Sequence, residues 1–154
     1  MDPQNLQDRF APDSVCFGCG PANPDGLRIK SRAEGDGVVA DWTPGPHHEA
    51  FPGVLNGGII GTVLDCHCNW AAVQALMTER ALDRPAVTVT AEYTIRLRRP
   101  TPTDRPLHLT ARATEIDGDR VRVEGELSVG GVVTATCTGL FVAIGEGHPA
   151  HDSW

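Results

Sequence analysis

The residues best able to do chemistry lie close together, in Phe51-Pro52-Gly53-Val54-Leu55-Asn56-Gly57-Gly58-Ile59-Ile60-Gly61-Thr62-Val63-Leu64-Asp65. Asn56 is a favoured helix N-cap residue, and Gly57-Gly58 lets a ligand or another backbone come close to the first helical turn. The unpaired N–H groups of such a turn, backed by the positive end of the helix dipole, can hold a developing oxyanion. A plain capped helix start packed on a strand is the alternative. Asp65 falls about two turns further on in an otherwise apolar stretch, where an unpaired charge costs several kcal/mol. Thr62, Asp65 and Asn69, at i, i+3 and i+7, share the face of the helix start. A buried carboxylate on that face suits a base or nucleophile. It equally suits a structural partner for a strand backbone, Arg96 or Arg98.

Two further groups stand out. Arg96, Arg98 and Arg99 form the one dense basic cluster, the kind of patch that a phosphorylated cofactor tail requires. A charged edge strand protected from aggregation is the competing account. Cys16-x-x-Cys19 is half of a zinc site, and Cys66-His67-Cys68 offers more ligand types. On one helix Cys66 and Cys68 point about 200° apart and cannot face one metal together. Buried thiols and turn structure are therefore expected rather than a metal, with Cys66 lining a pocket and His67 a packing residue. His47 and His48 sit in a loop from Pro44 to Pro52, and His48 is a candidate pocket residue.

These residues need a scaffold. Residues 1–25 are rich in Pro, Asp, Asn and Gly, and are expected to form an irregular arm. Leu27, Ile29 and Ser31 alternate with Arg28 and Lys30, which predicts a first strand. A turn at Glu34-Gly35-Asp36-Gly37 and a second strand at Val38–Trp42 complete a hairpin. Gly58 to about Met77 is apolar on most faces, as a buried helix is. After Asp83-Arg84-Pro85 come four strands: one from Val87 to Arg98, one starting at Leu107, one after the Asp117-Gly118-Asp119 turn, and Val132–Ile144 after Gly130-Gly131. The expected class is α+β, one long helix wrapped by an antiparallel sheet of about six strands. One domain over 26–145 is expected, with a tail over 146–154.

Composition narrows the function classes. A net charge of −7 over 154 residues argues against nucleic acid and anionic membranes as partners. No apolar run approaches the roughly 20 residues that cross a bilayer, and the opening residues lack signal-peptide order. Five cysteines, an odd number in a chain that needs no staples, fit reduced thiols in a cytoplasmic protein.

The segment Pro52–Asp65 resembles the His-Gly-Gly stretch of hotdog-fold thioesterases of the phenylacetate-degradation (PaaI-like) family. Cys16-Phe17-Gly18-Cys19-Gly20 with Asn23-Pro24-Asp25-Gly26-Leu27 is similar to the N-terminal arm of a bacterial subgroup, and Leu97-Arg98-Arg99-Pro100-Thr101 to the end of its strand after the helix. The resemblance implies a hotdog fold and hydrolysis of acyl-CoA thioesters at a site between two subunits, the CoA moiety arriving as substrate and no separate cofactor being needed. By position, Gly57 (with Gly58 beside it) would polarise the thioester carbonyl, Asp65 of the partner chain would activate water or attack, and Thr90 would orient the water. A homodimer, assembled further as a dimer of dimers, is the expected state. Two positions depart from the pattern: Asn56 stands for the family's His, and Ala50 for an Asn, with His48 and Glu49 nearby as candidates to stand in. Losing the imidazole disfavours dehydratase chemistry, and leaves a non-hydrolytic acyl-CoA-binding or scaffold protein as the alternative to hydrolysis.

Overall fold

The computed structural model describes residues 4–154, so Met1, Asp2 and Pro3 of the expected arm lie outside the described residues. The arm is not wholly irregular: α1 (Leu6–Phe10) is capped by Asn5, whose side chain accepts from the Asp8 N–H. The sheet elements follow as β1 (Arg32–Glu34), β2 (Gly37–Trp42), β3 (Glu49–Phe51) and β4 (Val54–Leu55), with a 3-10 turn at Pro46–His48. Then come α2 (Gly57–Arg80), β5 (Thr88–Leu97), β6 (Leu107–Asp117), β7 (Arg120–Val129) and β8 (Val132–Ala143). Six strands form one antiparallel sheet in the order β1-β2-β6-β7-β8-β5, while β3 and β4 pair separately. The sheet curves round α2, the expected α+β arrangement. No helix among the described residues is long and apolar enough to cross a membrane.

The core is helix against sheet. Ile60, Val63, Leu64, Trp70, Val73 and Leu76 of α2 pack on Leu107, Leu109, Val121, Val123, Leu127 and Phe141. The β7–β8 hairpin turns at Gly130-Gly131, both with positive φ (57° and 81°), a conformation glycine adopts without a Cβ penalty.

Two strand assignments differ from expectation: β3 falls within the segment expected as a loop, and the expected first strand is absent. Leu27–Ser31 is not a strand, although its alternation of buried Leu27, Ile29 and Ser31 is as expected. Its backbone is claimed by the arm: the Leu27 and Ile29 N–H groups donate to the Phe17 and Gly18 carbonyls, and Ser31 accepts from Leu6 N–H. Arg28, at φ 55°, also breaks the pleat. Period-two burial reports which side is inside, not which backbone supplies the partner.

The arm is bound to the core through a buried polar chain. The Gln7 amide donates to Ser31 Oγ at 3.0 Å, while Ser31 N–H donates to Gln7 Oε1 at 2.7 Å. Ser31 Oγ lies 2.8 Å from His67 Nδ1, and His67 Nε2 lies 3.1 Å from the Val38 carbonyl oxygen. Because a carbonyl only accepts, Nε2 carries the proton and Nδ1 accepts from the Ser31 hydroxyl. His67 has no exposed surface, and burial lowers its pKa to about 4, so it stays neutral in this chain of bonds. Ser31→Ala removes the acceptor for Gln7 and the donor to His67 together. It is expected to lower the unfolding free energy by about 2–4 kcal/mol in urea titration. A loss under about 0.5 kcal/mol would show the chain to be energetically idle.

Candidate active site

Helix α2 begins where its sequence signals place it. Asn56 adopts extended backbone (φ −63°, ψ 135°), and its side-chain oxygen accepts from the Ile59 N–H at 3.1 Å. That oxygen is therefore engaged in capping. Gly57 is the first helical residue, and Gly58 is exposed beside it. A Cβ on Gly57 would meet Leu97 Cδ1 at 3.2 Å, and one on Gly61 would touch Tyr93 and Ile95. These glycines let β5 lie close along the helix.

Further along, helix and strand form a ladder of polar pairs. Thr90 Oγ1 donates to Asp65 Oδ1 at 2.7 Å, and Thr88 Oγ1 donates to Asn69 Oδ1 at 2.6 Å. The match is geometric: four helical residues rise about 6 Å and two strand residues about 6.6 Å, so the i, i+4 pair on α2 meets the i, i+2 pair on β5. Thr90 thus reaches Asp65 within one chain. Neither Arg96 nor Arg98 is its partner. Thr62 instead bonds back to the Gly58 carbonyl at 2.9 Å.

Asp65 opens into a cavity of about 420 Å³ lined by Gln7, Val15, Cys16, Cys66, Trp70 and Trp154 among others. Burial raises the Asp65 pKa from its ordinary value, opposed by the Thr90 hydrogen bond and reinforced by the nearby Cys16. The carboxylate has one oxygen held and sits in a pocket that water or a carbonyl group can enter, which is what a base or nucleophile needs.

The remaining candidates stand elsewhere. His48 Nδ1 accepts from Gly45 N–H at 2.9 Å, and its ring packs on Trp42 and His47. Burial, then the charge of His47, lower its pKa. Its carbonyl accepts from Asn56 N–H at 3.0 Å, so His48 braces the helix start through its backbone. Glu49 is held by the Thr103 hydroxyl at 2.8 Å. Arg96, Arg98 and Arg99 are all exposed, and Arg98 Nε donates to Thr136 Oγ1 at 3.3 Å. They lie at the Leu97 end of β5, beside Gly57 and roughly 20–30 Å along the chain direction from Thr90.

Spacing alone did not reveal two components. Cys16, Cys19 and Cys66 bring their sulfur atoms within 4.8 Å of one another, whereas Cys68 faces away, toward Gly125 and Cys137. Trp154, in the tail, stacks on Trp70 at 4.8 Å and closes one side of the cavity. The Cys-x-x-Cys pattern was visible in the chain, but its third member depends on how the arm docks. For Trp154 only its aromatic character in a polar tail was a signal.

No family model matches the chain, and no curated protein matches it. Solved structures do. A thioesterase superfamily protein of Shewanella loihica PV-4 superposes with a TM-score of 0.65 at 29% identity, over 81% of this chain and 98% of that one. Another thioesterase superfamily protein gives a TM-score of 0.70 at 26% identity over 82% of this chain, which spans 62% of that protein's length. A Bacillus halodurans protein crystallised with CoA gives a TM-score of 0.61 at 26% identity, over 78% of this chain and 76% of that one. The sheet order, the single buried helix and these likenesses agree with the resemblance carried by residues Pro52–Asp65, and the chain has the hotdog fold of these thioesterase superfamily proteins.

Proposed function

We propose that the protein hydrolyses acyl-CoA thioesters, with Asp65 as general base or nucleophile and the Gly57 N–H as oxyanion donor. The observation that carries the reading is Asp65 in its cavity, one oxygen fixed by Thr90 and its pKa raised by burial. In the base form of the reaction, Asp65 takes a proton from water, whose oxygen attacks the thioester carbon. The carbonyl oxygen becomes an oxyanion facing the Gly57 N–H. The C–S bond then breaks, and the CoA sulfur leaves with a proton returned from Asp65.

Gly57 and Asp65 are eight residues apart on one rigid helix, about 12 Å along its axis. They cannot meet on one carbonyl within a chain, which supports a homodimer in which each site takes its carboxylate from one copy and its N–H from the other. The outer edge of β5, where Tyr93 and Leu97 are 47% and 58% exposed, is the face such a partner would cover. A dimer of dimers extends the same proposal. Arg96, Arg98 and Arg99, on the Gly57 side, would receive the CoA phosphates. The CoA-bound relative supports that substrate class, and a soluble CoA ester fits a cytoplasmic setting.

Asp65→Asn is expected to lower kcat for thiol release from short and aromatic acyl-CoAs by about 100-fold or more while the fold is retained. Gly57→Pro removes the N–H at a helix position that accepts proline, after a residue whose extended backbone suits one. It should leave the circular dichroism spectrum unchanged and cost about 100-fold in rate. Full turnover by either folded variant, or binding of acyl-CoA with no thiol release by the native protein, would overturn the reading. Replacing Arg96, Arg98 and Arg99 with alanine should raise KM for acyl-CoA about tenfold, yet leave KM for an acyl-pantetheine, which lacks those phosphates, unchanged. Equal effects on both substrates would remove the arginines from phosphate recognition.

A further inference from the structure

We infer that Cys16, Cys19 and Cys66 form a binding site for a divalent zinc-like ion, one that ties the N-terminal arm to helix α2. The first support is distance. Tetrahedral zinc with Zn–S bonds of about 2.3 Å sets its sulfur ligands about 3.8 Å apart. Cys16 Sγ and Cys66 Sγ are 3.8 Å apart, and all three sulfurs fall within 4.8 Å of one another.

The second support is the turn that presents two of them. Cys16-Phe17-Gly18-Cys19-Gly20 closes with the Gly20 N–H donating to the Cys16 carbonyl at 2.8 Å. Glycine is needed at positions 18 and 20. A Cβ on Gly18 would lie only 2.2 Å from Cys66 Sγ, and one on Gly20 only 2.4 Å from Cys16 N. The loop is thus shaped to admit a third sulfur from the helix.

Cys16 and Cys66 share a thiol hydrogen bond at 3.8 Å. The Trp70 indole N–H also donates to Cys19 Sγ at 3.4 Å. A divalent ion would replace the shared protons with three metal–thiolate bonds, the thiol protons passing to solvent. No fourth His, Cys, Asp or Glu atom joins the group among the described residues. All three cysteines line the Asp65 cavity, so water or a solute there would complete the tetrahedron. The site stands independently of the proposed thioester hydrolysis.

The test is metal content of protein purified without chelator and with a non-thiol reductant. About one zinc per chain is expected. Replacement by cobalt should give thiolate-to-cobalt charge-transfer bands together with the intense visible bands of a tetrahedral site. Cys16→Ser, at an exposed position, and Cys66→Ser should each reduce zinc affinity at least about tenfold. Cys137→Ser, on the other side of α2, should leave it unchanged. Gly18→Ala keeps every thiol but forces Cys66 from the turn, and should also weaken binding if the geometry is what holds the metal. Chelation should lower the melting temperature of the native protein and not that of Cys66→Ser. Absence of stoichiometric zinc after loading and desalting, cobalt spectra without thiolate bands, equal loss in Cys137→Ser, or isolation of Cys16 joined to Cys66 or Cys19 as a disulfide without metal would each overturn the inference.

Discussion

Helix α2 is enclosed along most of its length, so every polar side chain it turns inward has to find its partner on the element packed against it. Asp65 finds Thr90, Asn69 finds Thr88, and His67 finds Ser31 and the Val38 carbonyl. Each pairing fixes a different neighbour. The two threonines set how β5 lies along the helix, and His67 sets where the arm returns to the core. The apolar contacts supply most of the stabilisation, but they tolerate sliding; the polar ones do not.

That division explains what the chain disclosed before its fold was known. The class, the size of the main sheet, the helix and its capped start were legible because hydrophobic period and turn chemistry are local properties. Asp65 was legible as an anomaly, a charge where none should be unpaired. The identity of its partner was not, since it depends on the relative rise of two elements distant in sequence. Thr90 enters by resemblance alone, and its bond to Asp65 follows from how β5 packs along α2. The mistaken first strand at Leu27–Ser31 has the same origin: alternation indicated the buried side correctly, but the arm had already taken the backbone hydrogen bonds. The convergence of Cys66 with Cys16 and Cys19 is the furthest from local pattern, because it follows from the docking of the whole arm. Cys66 and Cys68 do diverge on the helix, and Cys66 joins the other pair.

Asn56 gives the long helix a defined start. Its side-chain oxygen secures the Ile59 N–H, and its extended backbone delivers the chain into the helix. The first helical turn therefore presents main-chain N–H groups that do not depend on the Asn56 side chain. The acidic end lies two turns away on the same rigid rod, so the separation of the two is set by helix geometry and not by loop conformation.

Trp70 and Trp154 are two of the three tryptophans in the chain, and their stacked rings form part of the cavity wall next to the thiols and close to Asp65. Much of the intrinsic fluorescence must therefore originate at the pocket itself. Anything that enters it, or parts the two rings, alters their quantum yield and emission wavelength. The protein thus carries its own unlabelled optical reporter of occupancy.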